Sequence, residues 1–550
     1  MTRQPAPHSS SRPAPQGALP RLLDRLRQLW RAEAPLVWAL SVIIGILAGY
    51  AVLLFRFAIG RVQWLWLGTE AENIVATKAS LTHPLIVFAA PVAGGLIVGL
   101  LLVWLAPKRR ASGVADVIEA AHLRHGVIHW RDGLASAIIT IISLGSGASA
   151  GREGPAVHIG ASVASVLFRP IKRLSVASRR VLIGAGAAAA VAASFNAPIA
   201  GMIFAHEVIL GHYAMSAFVP TVLAAVAGTI ITRVHLGDYP AFILPPLEIR
   251  SYVEFPAFAL LGLLAGLVAV VFLRTAETLD VRARAIPMPL WLRPLLGGVL
   301  IGLMGVFIPQ ILGVGYEATS QALRGKYELG FLVLLLAAKL LATAITLASR
   351  FGGGVFSPSL FLGAMTGGIV GHLAAMLAPQ FASDISAYAV VGTAAVAGAV
   401  LGAPLSTALI VFEMTNDYRI TIALLIATSI AAVVMQVLAA RSFFHWQLQQ
   451  RGLDLVAGPH RRIMHTMTVA DFITPPAGDD PETPPPPFDE RPALSKADTL
   501  ERALRAFNSG NYSRLAVTDA KGRLIGWADY ARALEAFNAA MIEAEREEHH

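Results

Sequence analysis

Residues 151–160 read GREGPAVHIG, and residues 352–363 read GGGVFSPSLFLG. Each is a glycine-rich break in an apolar chain, with a proline close behind it. Glycine lets the backbone turn sharply. Proline suits the first turn of a helix, where its missing N–H has no partner to lose. Each break therefore reads as a helix start. The first is followed by FNAPIAGMIFAHE (195–207) and the second by LGAPLSTALIVFE (401–413). Both followers begin a helix at Ala-Pro and end on a glutamate. The prolines lie 43 residues apart in the first pair (Pro155, Pro198) and 46 in the second (Pro358, Pro404). The chain is thus two repeated halves. Interrupted segments at matching places in two halves point to a binding site where the halves meet.

The surroundings of these breaks are lipid-compatible. Of 550 residues, 55% are hydrophobic and 14% charged, with a mean hydropathy of +0.61, where a soluble domain carries about 25% charged residues. Apolar runs occupy 36–55, 85–106, 134–144, 181–210, 219–231, 258–273, 295–311, 331–347, 360–377, 389–412 and 420–440. A spanning helix needs about 20 apolar residues, so several runs are too short for a simple crossing. Broken and re-entrant helices are expected, buried in protein or lining a cavity. The fold class is an all-α polytopic membrane protein over 36–450.

The net charge of +9 comes from short basic runs between apolar segments. No contiguous basic face or recognition motif suits nucleic acid. Lys and Arg concentrate in cytoplasmic loops, so these runs and both termini are expected on the cytoplasmic side. Residues 1–35 form a polar tail without a secretory signal, and RLLDRLRQLWR (21–31) suits a helix lying on the membrane surface or in solvent. There are no cysteines, which excludes disulfides and thiolate chemistry.

Glu153 stands just before the helix start at Gly154-Pro155. The N–H groups and positive dipole end of a helix favour an anion. The residues alone allow two readings of this carboxylate. It is a tethered anion that occupies a site and can leave it, or a cap paired with Arg152. Val355 and Phe356 place backbone amides at the second break, where they can point at an anion. Ser112, with Gly113 beside it, follows the basic run 108–110 and offers a neutral hydroxyl donor. Neutral donors suit conduction, because the ion must bind and also leave.

GREGP (151–155), GVFSP (354–358), the SGV of ASGV (111–114), FNAPIAG (195–201) and GAPLSTALIVFEMTNDY (402–418) appear in the order and spacing of the CLC family of chloride channels and chloride/proton antiporters, which the chain resembles over 36–450. The resemblance implies a homodimer, inverted-topology halves and one pathway per subunit for chloride and other small anions. It implies that Glu153 is the gating glutamate. Anions would be held at Ser112, Gly113, Arg152, Gly154, Val355 and Phe356, and at a hydroxyl on the last membrane helix. The expected place is a bacterial inner membrane.

Three departures bear on mechanism. Ala111-Ser112-Gly113-Val114-Ala115 stands where the family reads G-S-G-I-P. The serine, which the family associates with chloride, is kept, and the helix start is put in question. Phe444 stands where many members have a coordinating tyrosine, so one donor is lost. Val208 stands where antiporters carry their internal proton glutamate, and valine carries no proton. Channel-like conduction is expected. The alternative is an antiporter using Glu207 or His206 as a substitute relay, although adjacent helix positions face about 100° apart.

Enzyme readings fail. His206-Glu207 followed by His212 lacks the i, i+4 histidines of a zinc helix, and no Walker sequence occurs. Beyond the acidic, proline-rich linker within 451–492 lies a small unit at 493–541 that resembles one CBS domain, with TVADFIT (468–474) as its lead-in. TLERALRAFNSG (499–510) reads as a helix, SRLAVTDAKGRLIGWAD (513–529) as two strands, and YARALEAFNAAM (530–541) as a second helix, before a charged tail at 542–550. Such units pair, here across the homodimer. The resemblance allows an adenine nucleotide near Ser513 and Asp529, each of which also reads as a surface polar residue. No cofactor is otherwise required.

Overall fold

The structure, a computed structural model, describes residues 33–550 except 240–241, 243, 245–246, 248, 416–417, 454–459, 461–462, 465–466, 476–491, 520 and 550. The helix expected at 21–31 and most of the proline-rich segment lie outside the described residues.

The first half runs through α1 (Ala34–Leu67), α2 (Val75–Leu81), α3 (Pro84–Trp104), α4 (Val114–Leu123), α5 (Trp130–Gly145), α6 (Glu153–Phe168), α7 (Val176–Phe195), α8 (Pro198–Phe204) and α9 (Met215–Leu236). The second comprises α10 (Phe255–Ala285), α11 (Leu292–Phe307), α12 (Tyr316–Leu323), α13 (Leu329–Ala348), α14 (Phe356–Leu377), α15 (Ile385–Leu401), α16 (Pro404–Thr415), α17 (Tyr418–Ala439) and α18 (Phe443–Gln449). Eight helical stretches among the described residues are long and apolar enough to cross a membrane. The protein is a multi-pass integral membrane protein.

The apolar run 181–210 is broken as expected. Asn196 takes a left-handed φ of 57° between α7 and α8, and Gly402, at φ 68°, does the same between α15 and α16. The repeat therefore extends to backbone detail. It extends to packing as well, since α6 packs on α7 and α14 on α15. A Cβ on Gly160 would lie 2.3 Å from the Gly186 carbonyl oxygen, and one on Gly363 would lie 2.3 Å from that of Gly392. Small residues let membrane helices approach this closely, and any side chain here would force the pairs apart.

The two breaks close on each other. The Gly151 N–H donates to the Gly354 carbonyl and the Gly354 N–H to the Gly151 carbonyl, each at 2.7 Å. The Gly352 N–H donates to Ser143 Oγ at 2.9 Å. Irregular backbone at membrane depth needs such partners. Each half supplies those of the other.

The C-terminal unit is a four-stranded sheet in the order β1-β4-β3-β2, with β1 (Ile473–Thr474), β2 (Leu494–Ser495), β3 (Arg514–Thr518) and β4 (Leu524–Asp529). Helices α19 (Leu500–Ser509) and α20 (Tyr530–His549) cover it. Two boundaries differ from expectation. The lead-in supplies the edge strand β1, and Val469 and Phe472 join the core with Leu494, Phe507 and Val517, so the unit begins before 493. The second helix continues to His549 through the segment expected as a tail, because Glu, Ala and Arg are strong helix formers.

Candidate functional site

Glu153 is fully buried in the first turn of α6. Tyr316 Oη donates to its Oε1 at 2.7 Å and Ser357 Oγ to the same oxygen at 2.6 Å. The Ser357 N–H approaches Oε2 at 3.3 Å. Tyr316 opens α12, and Ser357 lies in the first turn of α14. A first-half carboxylate thus rests on second-half donors.

Arg152 is turned the other way. Its Nε is 3.9 Å from Glu153 Oε1, its guanidinium pairs with Glu72, and it stacks 4.9 Å over the Tyr316 ring. Glu72 also meets Arg56, at 3.8 Å. A buried charge requires partners, and this Arg56–Glu72–Arg152 chain provides them.

Two cavities flank Glu153. One, of about 340 Å³, is lined by Ser112, Gly113, Gly154, Gly354, Val355 and Phe444. Lys108, Arg110, Asp116, Arg350 and Arg451 also border it. The other, of about 420 Å³, is lined by Arg56, Glu72, Arg152, Phe195, Phe242 and Tyr316, among others. Gly154 borders the first cavity and Arg152 the second, with Glu153 between them in sequence. Lys108, Arg110, Arg284, Arg350 and Arg451 outnumber Asp116 and Asp280 on the lining of the first cavity, an excess of cations that attracts small anions.

Of the residues singled out in the sequence, Ser112, Gly113, Gly154, Val355 and Phe444 share one wall. Arg152 belongs to the opposite cavity. The Phe356 ring lines neither; it packs against Phe195 and Phe204, with centroids 5.0 and 5.9 Å away. The helix start at Val114 survives the loss of proline at Ala115. Asp116 accepts the Gly113 N–H at 3.1 Å and is itself held by Arg110 at 2.6 Å. Ser112 is anchored by its own N–H, which donates to Ser136 Oγ at 2.8 Å.

Glu207 and His206 line neither cavity. The Glu207 carboxylate accepts from the N–H groups of Leu405 and Ser406, at 3.1 and 2.8 Å, and from Ser406 Oγ. It thereby caps the N-terminus of α16. Glu413 repays the arrangement by accepting from the N–H groups of Ile199 and Ala200 in α8, at 3.0 and 2.8 Å. His206 bridges the His212 carbonyl and Thr221 Oγ. Val208 packs against the apolar core.

Sequence reasoning missed Tyr316, Glu72 and Lys339. The last had a visible signal, a lone charge inside the apolar run of α13. It is fully buried, and its Nζ donates to the carbonyls of Ile311 and Gly313, at 3.0 and 2.9 Å.

A sequence model of the family described as "Voltage gated chloride channel" matches residues 94–436. A ClcB-like chloride channel protein from Ralstonia nicotianae is 32% identical over 424 residues, covering 76% of this chain and 98% of the relative. An H(+)/Cl(-) exchange transporter, ClcA, from Salmonella agona is 28% identical over 436 residues, covering 77% and 91%. The solved structure of a slow cyanobacterial Cl-/H+ antiporter shares the fold with a TM-score of 0.67 at 23% identity, covering 76% of this chain and 97% of that one. Because the matched residues take in both glycine breaks and the first of these relatives is matched along nearly its whole length, the chain belongs to the voltage gated chloride channel (CLC) family of anion-transporting membrane proteins.

Proposed function

We propose that the protein conducts chloride and other small monovalent anions passively, with Glu153 as the gate. The observation that carries this reading is the seat of the Glu153 carboxylate. Its neighbours Gly154 and Arg152 line two different cavities, and it rests on hydroxyl and amide donors that an anion could take in its place. Ser112, Gly113, Gly154 and the amides of Val355 and Phe356 are the anion's other ligands. First-turn amides of a helix have no acceptor within the helix. Arg152 draws anions into the opposite cavity.

Passive conduction is favoured by Val208, which places no titratable group where an internal proton step would need one. Glu207 and His206 are engaged in hydrogen bonds away from both cavities. The second reading, chloride/proton antiport, is favoured by the likeness to ClcA. The two separate in proteoliposomes holding a chloride gradient, with voltage clamped at the chloride equilibrium potential and pH initially equal. Passive conduction gives no net proton movement. Sustained proton flux abolished by Glu153→Gln would establish antiport instead.

Phe444 closes one wall of the cavity beside Ser112 without offering a hydrogen bond. Phe444→Tyr is expected to tighten chloride binding about tenfold, the worth of one hydrogen bond to a charged group, as read by isothermal titration. Unchanged affinity would place the bound anion away from this ring. The protein further acts as a homodimer in a bacterial inner membrane with both termini cytoplasmic, and the C-terminal units pair across it to take an adenine nucleotide. Asp529, which holds Arg514 at 2.9 Å and Thr474 at 3.2 Å, is tied within that unit.

A further inference from the structure

We infer that the hydroxyls of Tyr316 and Ser357 form a latch that holds Glu153 in its occluding position and sets how readily it yields to an anion. This rests on the reading of Glu153 as the gate, and it assigns the strength of that gate to two side chains outside the glycine break that carries it.

A carboxylate offers about four lone-pair sites. Here both hydroxyl protons go to one oxygen, Oε1, at 2.7 and 2.6 Å. O–H···O⁻ bonds of this length are the stronger, charge-assisted kind. Neither hydroxyl is needed for packing. A phenylalanine at 316 would fill the same ring volume, and an alanine at 357 would leave the Ser357 N–H contact to Oε2 in place.

The tyrosine is aimed rather than loosely placed. Phe242 meets its ring edge-on at 5.1 Å, and the Arg152 guanidinium covers the ring face. Arg152 Nη2 also approaches Tyr316 Oη at 3.5 Å, on the oxygen that donates to Glu153. A phenol polarised in this way is the better donor. Both donors are buried, with Tyr316 7% and Ser357 2% exposed, so water does not compete for the carboxylate at this seat. When the carboxylate departs, the same two hydroxyls are left facing its place, and an incoming anion can take them.

The test is a double-mutant cycle on the full chain in proteoliposomes, read as chloride efflux. Tyr316→Phe and Ser357→Ala are each made alone and together with Glu153→Ala. Each single change is expected to raise efflux about tenfold, the worth of one hydrogen bond to a charged group. In the Glu153→Ala background neither is expected to raise efflux, because the hydroxyl then serves only the passing anion and no longer holds a blocking carboxylate. Equal gains in both backgrounds would mean general loosening and would overturn the latch. Unchanged efflux in both single variants, with Glu153→Ala still opening the pathway, would refute the latch and leave the gate standing. Unchanged efflux in Glu153→Ala would remove the gate and the latch with it.

Discussion

Replacing Glu153 with alanine is expected to raise chloride efflux from proteoliposomes at least about tenfold at neutral pH. Two hydroxyl bonds hold the carboxylate, and each hydrogen bond to a charged group is worth about 1.5–3 kcal/mol. A diffusing anion must displace that tethered rival before it can pass. Alanine removes the rival and leaves the donors. The protein should still purify as a folded particle, because Gly151 and Gly354 join the two halves through backbone alone. Efflux at or below the unsubstituted level would show that Glu153 caps α6 and does not block the path.

Arg152→Met is expected to have the largest effect on stability. Arg152 and Glu72 are 5% and 8% exposed at their side chains, and Glu153 is fully buried. Removing the cation leaves carboxylates short of a partner, and breaking a buried pair from one side costs about 3–5 kcal/mol. The melting temperature in detergent should fall sharply. Adding Glu72→Gln should recover part of the loss, since residues in one ion network couple. Equal melting of the single and double variants would show that Arg56 alone suffices for Glu72.

The parts of the fold that were legible in the sequence are those written locally. Gly-Pro breaks mark helix starts wherever they occur, and Asn196 and Gly402 end their helices through their own backbone preference. The lining of the first cavity was legible for the same reason, since Ser112, Gly154 and Val355 sit inside short motifs. What was not legible depends on partners brought from far along the chain. Tyr316 reaches Glu153 across 163 residues, and Arg152 reaches Glu72 across 80. Neither Tyr316 nor Glu72 stands in a motif that marks it. The Phe356 ring packs between two phenylalanines because its amide, not its side chain, belongs at the break. Glu207 entered the sequence reading only as a substitute proton relay in the alternative of antiport, and its local sequence gave no sign that the free amides of α16 would claim it.

The exchange of caps between α8 and α16 has a consequence for synthesis. Ile199 and Ala200 leave the ribosome with their amides lacking the acceptor that completes them, because Glu413 follows Ile199 by 214 residues. At about 5–20 residues per second, that interval is on the order of 10–40 s. Throughout it the first half sits in the bilayer with α8 uncapped, and until Gly354 is made Gly151 also lacks its counterpart. The nascent chain therefore passes through a stage in which half of it is in place but unfinished, and a helix of the second half completes one of the first.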